Sequence, residues 1–188
     1  MIDGGVKVVL DACVLYPAPL RDFLLNIAEQ QLIKPHWTDQ INEEWLRNLL
    51  LNRPDLNRRQ LETTIAYMNE AFPYANIIYN HSIHLPINLP DENDLHVIAA
   101  AAKVKAEFII TFNLKDFPEN EMKKLGIRAV QPDQFISTLI EINPINVLKA
   151  FNNQVKNLRY PKMRPEEVLQ RLERCNLKTT SNKLRKIL

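Results

Sequence analysis

The sequence predicts a three-layer α/β/α fold with a central parallel sheet, followed by a helical extension. Short β-rich runs at residues 6–10, 32–37, 108–111 and 128–131 alternate with longer segments whose apolar residues recur at helical spacing. This alternation is typical of βαβ units, in which helices cover both faces of a parallel sheet. The chain has 188 residues, of which 46% are apolar and 24% charged, so its size and balance suit one globular domain with an appendage.

The first half of the chain begins with the β-rich run Val6–Leu10, and residues 20–28 then repeat apolar side chains at helical spacing. Residues 32–37 predict a second strand. Thr38 follows as a candidate N-cap for the next helix, and residues 56–72 predict another helix.

The second half predicts a helix that opens at residues 90–94 and runs to residue 104, then strands at 108–111 and 128–131. After Pro144 the pattern becomes helical and basic. We therefore predict a domain at residues 1–143 and a basic helical extension at residues 144–188.

Composition excludes several classes of protein. The chain has three glycines and neither a GxGxxG motif nor a P-loop, so the usual glycine-rich phosphate cradles are missing. Cys13 and Cys175 have no metal-binding or disulfide-framework spacing, which fits a reducing cytoplasm. Neither a signal peptide nor a membrane span is predicted. His81 and His84 have no matching Cys or His cluster, so they predict a turn or surface rather than a zinc site.

The small net charge of +2 hides an uneven distribution. Residues 1–143 carry 13 Lys and Arg against 19 Asp and Glu, a net charge of −6, whereas residues 144–188 carry 11 against 3, a net charge of +8. Nucleic acid or an acidic protein is the partner that such a basic tail predicts. The alternative is an ordinary solvated helical surface.

Two acids occupy positions where a predicted strand turns into a helix. Asp11 comes directly after the first strand, and Asp116 follows the strand that ends at Thr111. Ligands of open parallel sheets bind outside the carboxyl ends of the strands, so both carboxylates are expected at one edge of the sheet. Each of them also has a local explanation, as a cap or an Asx-turn.

Two further acids lie near the starts of helices. Asp94 extends the apolar stripe of its helix and should therefore point inward, although with Asp91 it also imitates a capping box. Glu44 falls at the edge of the apolar stripe of its own helix, whereas Glu43 falls almost opposite that stripe. We expect Glu44 to reach the sheet edge or to form a salt bridge with Arg47 or a nearby basic residue, and Glu43 to be a solvated surface acid.

Four carboxylates that share one site cannot all remain ionised without compensation. Mg²⁺ accepts oxygen ligands and retains several waters, so a hard divalent cation would resolve the repulsion. Such a metal can lower the pKa of a bound water and clamp phosphoryl oxygens. His96 is interpreted as a packed helix residue, and Cys13 as a buried residue rather than a nucleophile.

The chain resembles PIN-domain proteins of the VapC-like type. The resemblance rests on four segments that follow the order of the family, at residues 8–17, 37–45, 89–101 and 110–118. The basic tail also resembles the helical extension of one branch of these proteins.

The resemblance implies an α/β/α fold whose acidic cluster binds Mg²⁺ or Mn²⁺ and hydrolyses RNA. Asp91 matches a commonly acidic supporting position. The sequence departs from many relatives at Ala12-Cys13, where a polar residue and Asn are common, which puts the hydrogen-bond support of Asp11 in doubt. The four residues that match the catalytic, metal-binding acids are Asp11, Glu44, Asp94 and Asp116. The residues that match the polar, substrate-binding positions are Thr111 and Asn113.

The resulting hypothesis is a cytoplasmic metal-dependent endoribonuclease, the toxin of a type II toxin–antitoxin pair. Its expected partners are RNA and a small antitoxin, with a homodimer left open and no membrane partner. One rival is a non-catalytic RNA- or protein-binding module that keeps the fold. Another is a phosphatase with Asp11 as nucleophile, which would need an acid where Cys13 stands. In the tail, Val168, Leu169 and Leu172 form an apolar stripe that packs on the body or docks an antitoxin or a second copy.

Overall fold

The computed structural model describes residues 5–78, 85 and 87–188. The candidate histidines His81 and His84 lie outside the described residues. No helix among the described residues is long and apolar enough to cross a membrane.

The described residues form four strands, Val6–Leu10 (β1), Ile33–His36 (β2), Phe108–Ile110 (β3) and Arg128–Val130 (β4). All four are parallel and form one sheet in the order β2-β1-β3-β4. Helices flank this sheet, which confirms the predicted three-layer α/β/α fold class. Val8, Val9 and Leu10 of β1 are fully buried, because this strand has a neighbour on each side and helices over it.

The strand register brings the chemistry-bearing residues together. Leu10 of β1 pairs with Ile110 of β3, so these neighbouring strands end side by side. The amide of Asp11 then donates to the Ile110 carbonyl at 3.1 Å, and the amide of Thr111 donates to the Val130 carbonyl at 3.1 Å. Residues that follow β1 and β3 therefore share the carboxyl edge of the sheet.

The first four helices are Ala12–Leu15 (α1), Ala18–Glu29 (α2), Asp39–Asn52 (α3) and Arg58–Ala71 (α4). Thr38 caps α3 as predicted, because its hydroxyl accepts from the amide of Ile41 at 3.1 Å. Trp45 of α3 is fully buried, and burying an aromatic side chain of this size stabilises the fold by about 1.5–3 kcal/mol.

The helix that was predicted to open at residues 90–94 begins with a different local structure. Asp91 accepts from the amide of Asn93 at 2.9 Å and caps a short 3₁₀ turn, Glu92–Asp94, before α-helix Leu95–Val104 (α5) starts. Asp91 caps the 3₁₀ turn, and the side chain of Asp94 makes no capping hydrogen bond to α5. Another 3₁₀ turn, Leu114–Asp116, precedes helices Glu119–Lys124 (α6) and Pro132–Ile142 (α7).

The extension forms three helices, Pro144–Asn157 (α8), Pro165–Arg174 (α9) and Lys178–Ile187 (α10). Phe151 of α8 meets Phe23 of α2 edge to face, with ring centroids 6.2 Å apart. The apolar stripe of the tail faces inward, since its three side chains are at most 1% exposed: Val168, Leu169 and Leu172. Of the alternatives for that stripe, the structure selects packing on the body.

Candidate active site

A cavity of about 410 Å³ opens at the carboxyl edge of the sheet. It is lined by three of the four predicted acids, Asp11, Glu44 and Asp94, and by the predicted polar residue Asn113. These residues come from four separate stretches of chain, so the fold, and not local sequence, brings them together. Its other lining residues are Ala12, Cys13, Tyr16, Asn48 and Asn52.

Asp11 is a buried carboxylate that accepts hydrogen bonds from two neighbouring side chains. Only 5% of the residue is exposed, and its Oδ2 accepts from the Thr111 hydroxyl at 2.6 Å and from the Cys13 thiol at 3.1 Å. Within the described residues, both side-chain bonds to Asp11 end at Oδ2. This one-sided support fixes the carboxylate and leaves Oδ1 for a ligand.

Thr111 is fully buried behind Asp11, so the structure gives it contact with the carboxylate rather than with the open cavity. Its hydroxyl accepts from the amide of Asn113 at 2.9 Å and donates its single proton to Asp11. Asn113 itself is exposed at the cavity wall.

Cys13 remains a neutral thiol. Burial, followed by the negative charge of Asp11, raises the pKa of Cys13 to about 12. The protonated sulfur can therefore donate to Asp11, while it accepts from the amide of Phe112 at 3.2 Å. The departure at Ala12-Cys13 thus keeps hydrogen-bond support for Asp11 through a thiol, and a thiol of this pKa is a poor nucleophile at neutral pH.

Asp94 carries charge that its surroundings do not balance. Partial burial, together with the negative charges of Asp11, Asp116 and Asp91, raises the pKa of Asp94 to about 6. The nearby His96 acts in the opposite direction and is outweighed. A carboxylate whose ionised form is this unfavourable would be stabilised by a cation bound in the cavity.

Glu44 and Glu43 point to different places, as helical geometry predicts. Glu44 lines the cavity, and its Oε1 lies 2.9 Å from Nε2 of the buried His96. Glu44 thus reaches the sheet edge and also contacts a nearby basic residue, which is His96 rather than Arg47. Glu43 is exposed and pairs with Arg58 at 2.5 Å, so it is a surface acid.

Asp116 stands beside the cavity rather than in its wall. It is half-buried at the end of the 3₁₀ turn that follows β3, and its amide donates to the Asn113 carbonyl at 3.0 Å. Its charge acts on Asp94, which places the two carboxylates within electrostatic reach. The structure therefore gathers three of the four predicted acids around the cavity and sets the fourth at its side.

Two family models match this chain. The family model described as "PIN domain" matches residues 7–115, more than half of the chain, and that range contains Asp11, Glu44 and Asp94. The chain belongs to the PIN-domain family. A second family model, "VapC50 C-terminal domain", matches residues 132–186. The predicted resemblance to a VapC-like PIN protein with a helical C-terminal extension is therefore confirmed.

One curated relative of this PIN-domain protein is named "Putative ribonuclease VapC50" and comes from Mycobacterium tuberculosis (strain ATCC 25618 / H37Rv). The two chains are 36% identical over 72 residues, which is 38% of this chain and 38% of the relative. The match thus spans well under half of either protein. No solved structure matches the chain significantly.

The match to the C-terminal family begins within α7, ahead of the predicted boundary at 143/144. In the structure, α7 is tied to the extension, since Asp133 accepts from the amide of Thr180 at 2.7 Å and Lys183 pairs with Glu141 at 2.5 Å. The boundary at 143/144 stays a prediction.

Sequence reasoning missed several residues of the PIN-domain cavity. Asn48 and Asn52 follow Glu44 at intervals of four, so all three lie on one face of α3, and this spacing could have revealed them. Tyr16 gave no comparable signal, since it lies just beyond α1. His96 was interpreted as core packing, and its burial is real, but it also contacts Glu44.

The donor set suits a hard divalent cation that keeps its waters. Among the described residues, no three His, Cys, Asp or Glu side chains are arranged to enclose a metal ion by themselves. Mg²⁺ does not need such a cage, because one or two carboxylates, waters and substrate phosphates commonly hold it. Asp11 and Asp94 offer carboxylate oxygens to the same cavity, and the uncompensated charge at Asp94 favours a cation there. The residues therefore fit Mg²⁺ or Mn²⁺.

Proposed function

We propose that this PIN-domain protein is an endoribonuclease that depends on Mg²⁺ or Mn²⁺ and acts as the toxin of a type II toxin–antitoxin pair. The observation that carries the proposal is the cavity at the sheet edge, into which three carboxylates from separate stretches of chain open. The name of the Mycobacterium tuberculosis relative supports the choice of RNA as substrate.

In this proposal, Asp11 and Asp94 hold the ion directly, and Asp116, which stands beside the cavity, adds negative charge that acts on Asp94. When bound, such a cation activates water and neutralises charge on the phosphoryl oxygens. Thr111 and Cys13 keep Asp11 oriented through their bonds to Oδ2. Because these two donors satisfy one carboxylate oxygen, the other is presented in a fixed direction.

Glu44 has the position of a proton acceptor in the proposed reaction. Its contact with Nε2 of His96 holds the carboxylate at the cavity wall, where it can orient a water or take its proton. The amides of Asn48, Asn52 and Asn113 line the same cavity and can donate hydrogen bonds to phosphate or ribose oxygens.

Single-stranded RNA incubated with the purified protein tests the proposal. We expect internal cleavage with MgCl₂ or MnCl₂ and loss of cleavage to background when EDTA is in excess, because the carboxylates alone cannot activate water. Restoring the metal should restore cleavage. Cleavage that persists in EDTA would contradict the proposed mechanism, and RNA binding that survives loss of all four acids without any cleavage would favour the non-catalytic module.

A small antitoxin encoded beside the toxin gene is the partner in this proposal. We expect the product of a short adjacent reading frame to co-purify with the protein and to suppress cleavage in proportion to its concentration. The size of the purified complex also reports whether the protein is a homodimer.

A further inference from the structure

The last residues of α8 and the connection to α9 form an exposed basic turn, residues 156–164. Arg159 and Lys162 face each other in an isolated antiparallel bridge, and Tyr160 and Pro161 form the tip between them. Tyr160 is 98% exposed, more than any other large hydrophobic side chain among the described residues. An aromatic ring held out in water by a short bridged turn is available to stack on a planar partner.

The positive charge of the extension is uncompensated at this turn. All three acids of the extension are paired with arginines: Glu166 and Glu173 with Arg185 of α10, at 2.7 and 2.5 Å, and Glu167 with Arg164 at the end of the turn, at 3.5 Å. The three remaining cations of the turn are exposed and form no ion pair with any described residue: Lys156, Arg159 and Lys162. They therefore present free charge around Tyr160.

The end of α8 lies beside the start of α2. Helix α2 begins just after Asp11 and α1. Near the end of α8, Gln154 donates from Nε2 to the Pro19 carbonyl in the first turn of α2 at 2.8 Å. The chain therefore enters the basic turn near the segment that joins α2 to Asp11.

We infer that the basic turn binds single-stranded RNA, with Lys156, Arg159 and Lys162 contacting phosphates and the ring of Tyr160 stacking on an unpaired base. The inference rests on the proposed function, since the bound strand is the substrate of the carboxylate site. Cations beside an exposed aromatic ring are the combination that single-stranded nucleic acid recognises. Single-stranded RNA offers both phosphates for the cations and planar unpaired bases for the ring.

The uneven charge of the chain indicates what the basic turn contributes to RNA binding. Residues 1–143 carry a net charge of −6 and residues 144–188 a net charge of +8, so the strand meets repulsion at the body and attraction at the extension. Binding at the turn offsets the repulsion at the body.

RNA binding is measured by fluorescence anisotropy with a short labelled single-stranded RNA in EDTA, so that cleavage does not interfere. Tyr160→Ala is expected to weaken binding roughly five- to a hundredfold, the effect of losing one stacked base, whereas Tyr160→Phe keeps the ring and stays within about twofold of wild type. The matched control is Tyr74→Ala, which removes another exposed tyrosine, 49% accessible in the segment after α4. It should leave the affinity unchanged.

The charge contribution is measured with the triple variant Lys156→Gln, Arg159→Gln and Lys162→Gln. Loss of three phosphate contacts should reduce the slope of log affinity against log salt by about 2. Unchanged affinity and slope in the turn variants would overturn the inference, and so would equal losses in Tyr160→Ala and Tyr74→Ala. Turn variants that keep RNA affinity but lose the adjacently encoded protein would overturn it in favour of a protein partner.

A cleavage assay with Mg²⁺ on the same preparations separates this inference from the proposed function. Wild type that binds RNA through the turn without cleaving it would contradict the nuclease proposal and support the turn. Metal-dependent cleavage by wild type, together with turn variants that bind RNA as tightly as wild type, would support the nuclease proposal and contradict the inference about the turn.

Discussion

Asp94→Asn is expected to lower Mg²⁺-dependent RNA cleavage on the order of a thousandfold, equivalent to about 4 kcal/mol of barrier. The substitution keeps the shape of the side chain but removes its charge and one strong oxygen donor. Asp94 makes no capping hydrogen bond, and its ionised form is disfavoured by burial and by Asp11, so the fold does not depend on its charge. Asp11→Asn should give a similar loss of cleavage, measured as initial rate with excess RNA.

Glu43→Gln is the matched control for these two variants. It removes the charge of an exposed acid that pairs with Arg58 and adjoins Glu44 in sequence. Surface ion pairs contribute about 0–1 kcal/mol, so cleavage and stability should stay close to wild type. Equal cleavage by wild type, Asp11→Asn and Asp94→Asn would show that the activity resides elsewhere, and equal loss in Glu43→Gln would show a general charge effect.

Thr111→Val should lower cleavage roughly ten- to a hundredfold, the usual cost of losing a partner that orients a metal ligand. The substitution is nearly isosteric and removes the hydroxyl that donates to Asp11 at 2.6 Å. Cys13 then remains as the side-chain donor to that carboxylate among the described residues. Because Asp11 is held less firmly, the Mg²⁺ concentration that gives half-maximal cleavage should rise.

Thr111→Ser restores the hydroxyl and is expected to recover most of the activity. The Mg²⁺ requirement distinguishes positioning from simple destabilisation, since a smaller folded fraction lowers the maximal rate without moving the half-maximal metal concentration. Thr111→Val with a wild-type Mg²⁺ requirement would contradict the positioning role.

The sheet and the cap of α3 were predictable because their signals are local. The run Val6–Leu10 coincides with β1, and Thr38 followed by an apolar helical stripe specified the cap. The start of α5 was not predictable to the residue. Asp91 and Asp94 both suit a helix start, and only the structure shows that Asp91 caps a 3₁₀ turn and releases Asp94.

The candidate site was predictable where strand ends and helix faces decide direction, as for Asp11 and Glu44. The supporting contacts were not, because they join distant residues whose side chains also suit a core. Thr111 lies 100 residues from Asp11, and the thiol of Cys13 gave no sequence signal of a hydrogen-bond donor. His96 likewise combines burial with a contact to Glu44, a residue distant in sequence.

Titration of Mn²⁺, followed by the loss of its free electron paramagnetic resonance signal, tests most directly whether the carboxylates hold a divalent ion. A proton competes with metal for Asp94, whose raised pKa is about 6. Lowering the pH from about 7.5 to about 5 should therefore weaken Mn²⁺ binding by wild type about tenfold, whereas a carboxyl with an ordinary pKa near 3.9 would barely respond.

At about pH 7.5, we expect wild type and Glu43→Gln to bind Mn²⁺ equally, and Asp94→Asn to bind it at least about tenfold more weakly, without the loss below pH 6. Wild type that leaves the Mn²⁺ signal unchanged at neutral pH, or Asp94→Asn that binds as tightly as wild type, would contradict the central claim.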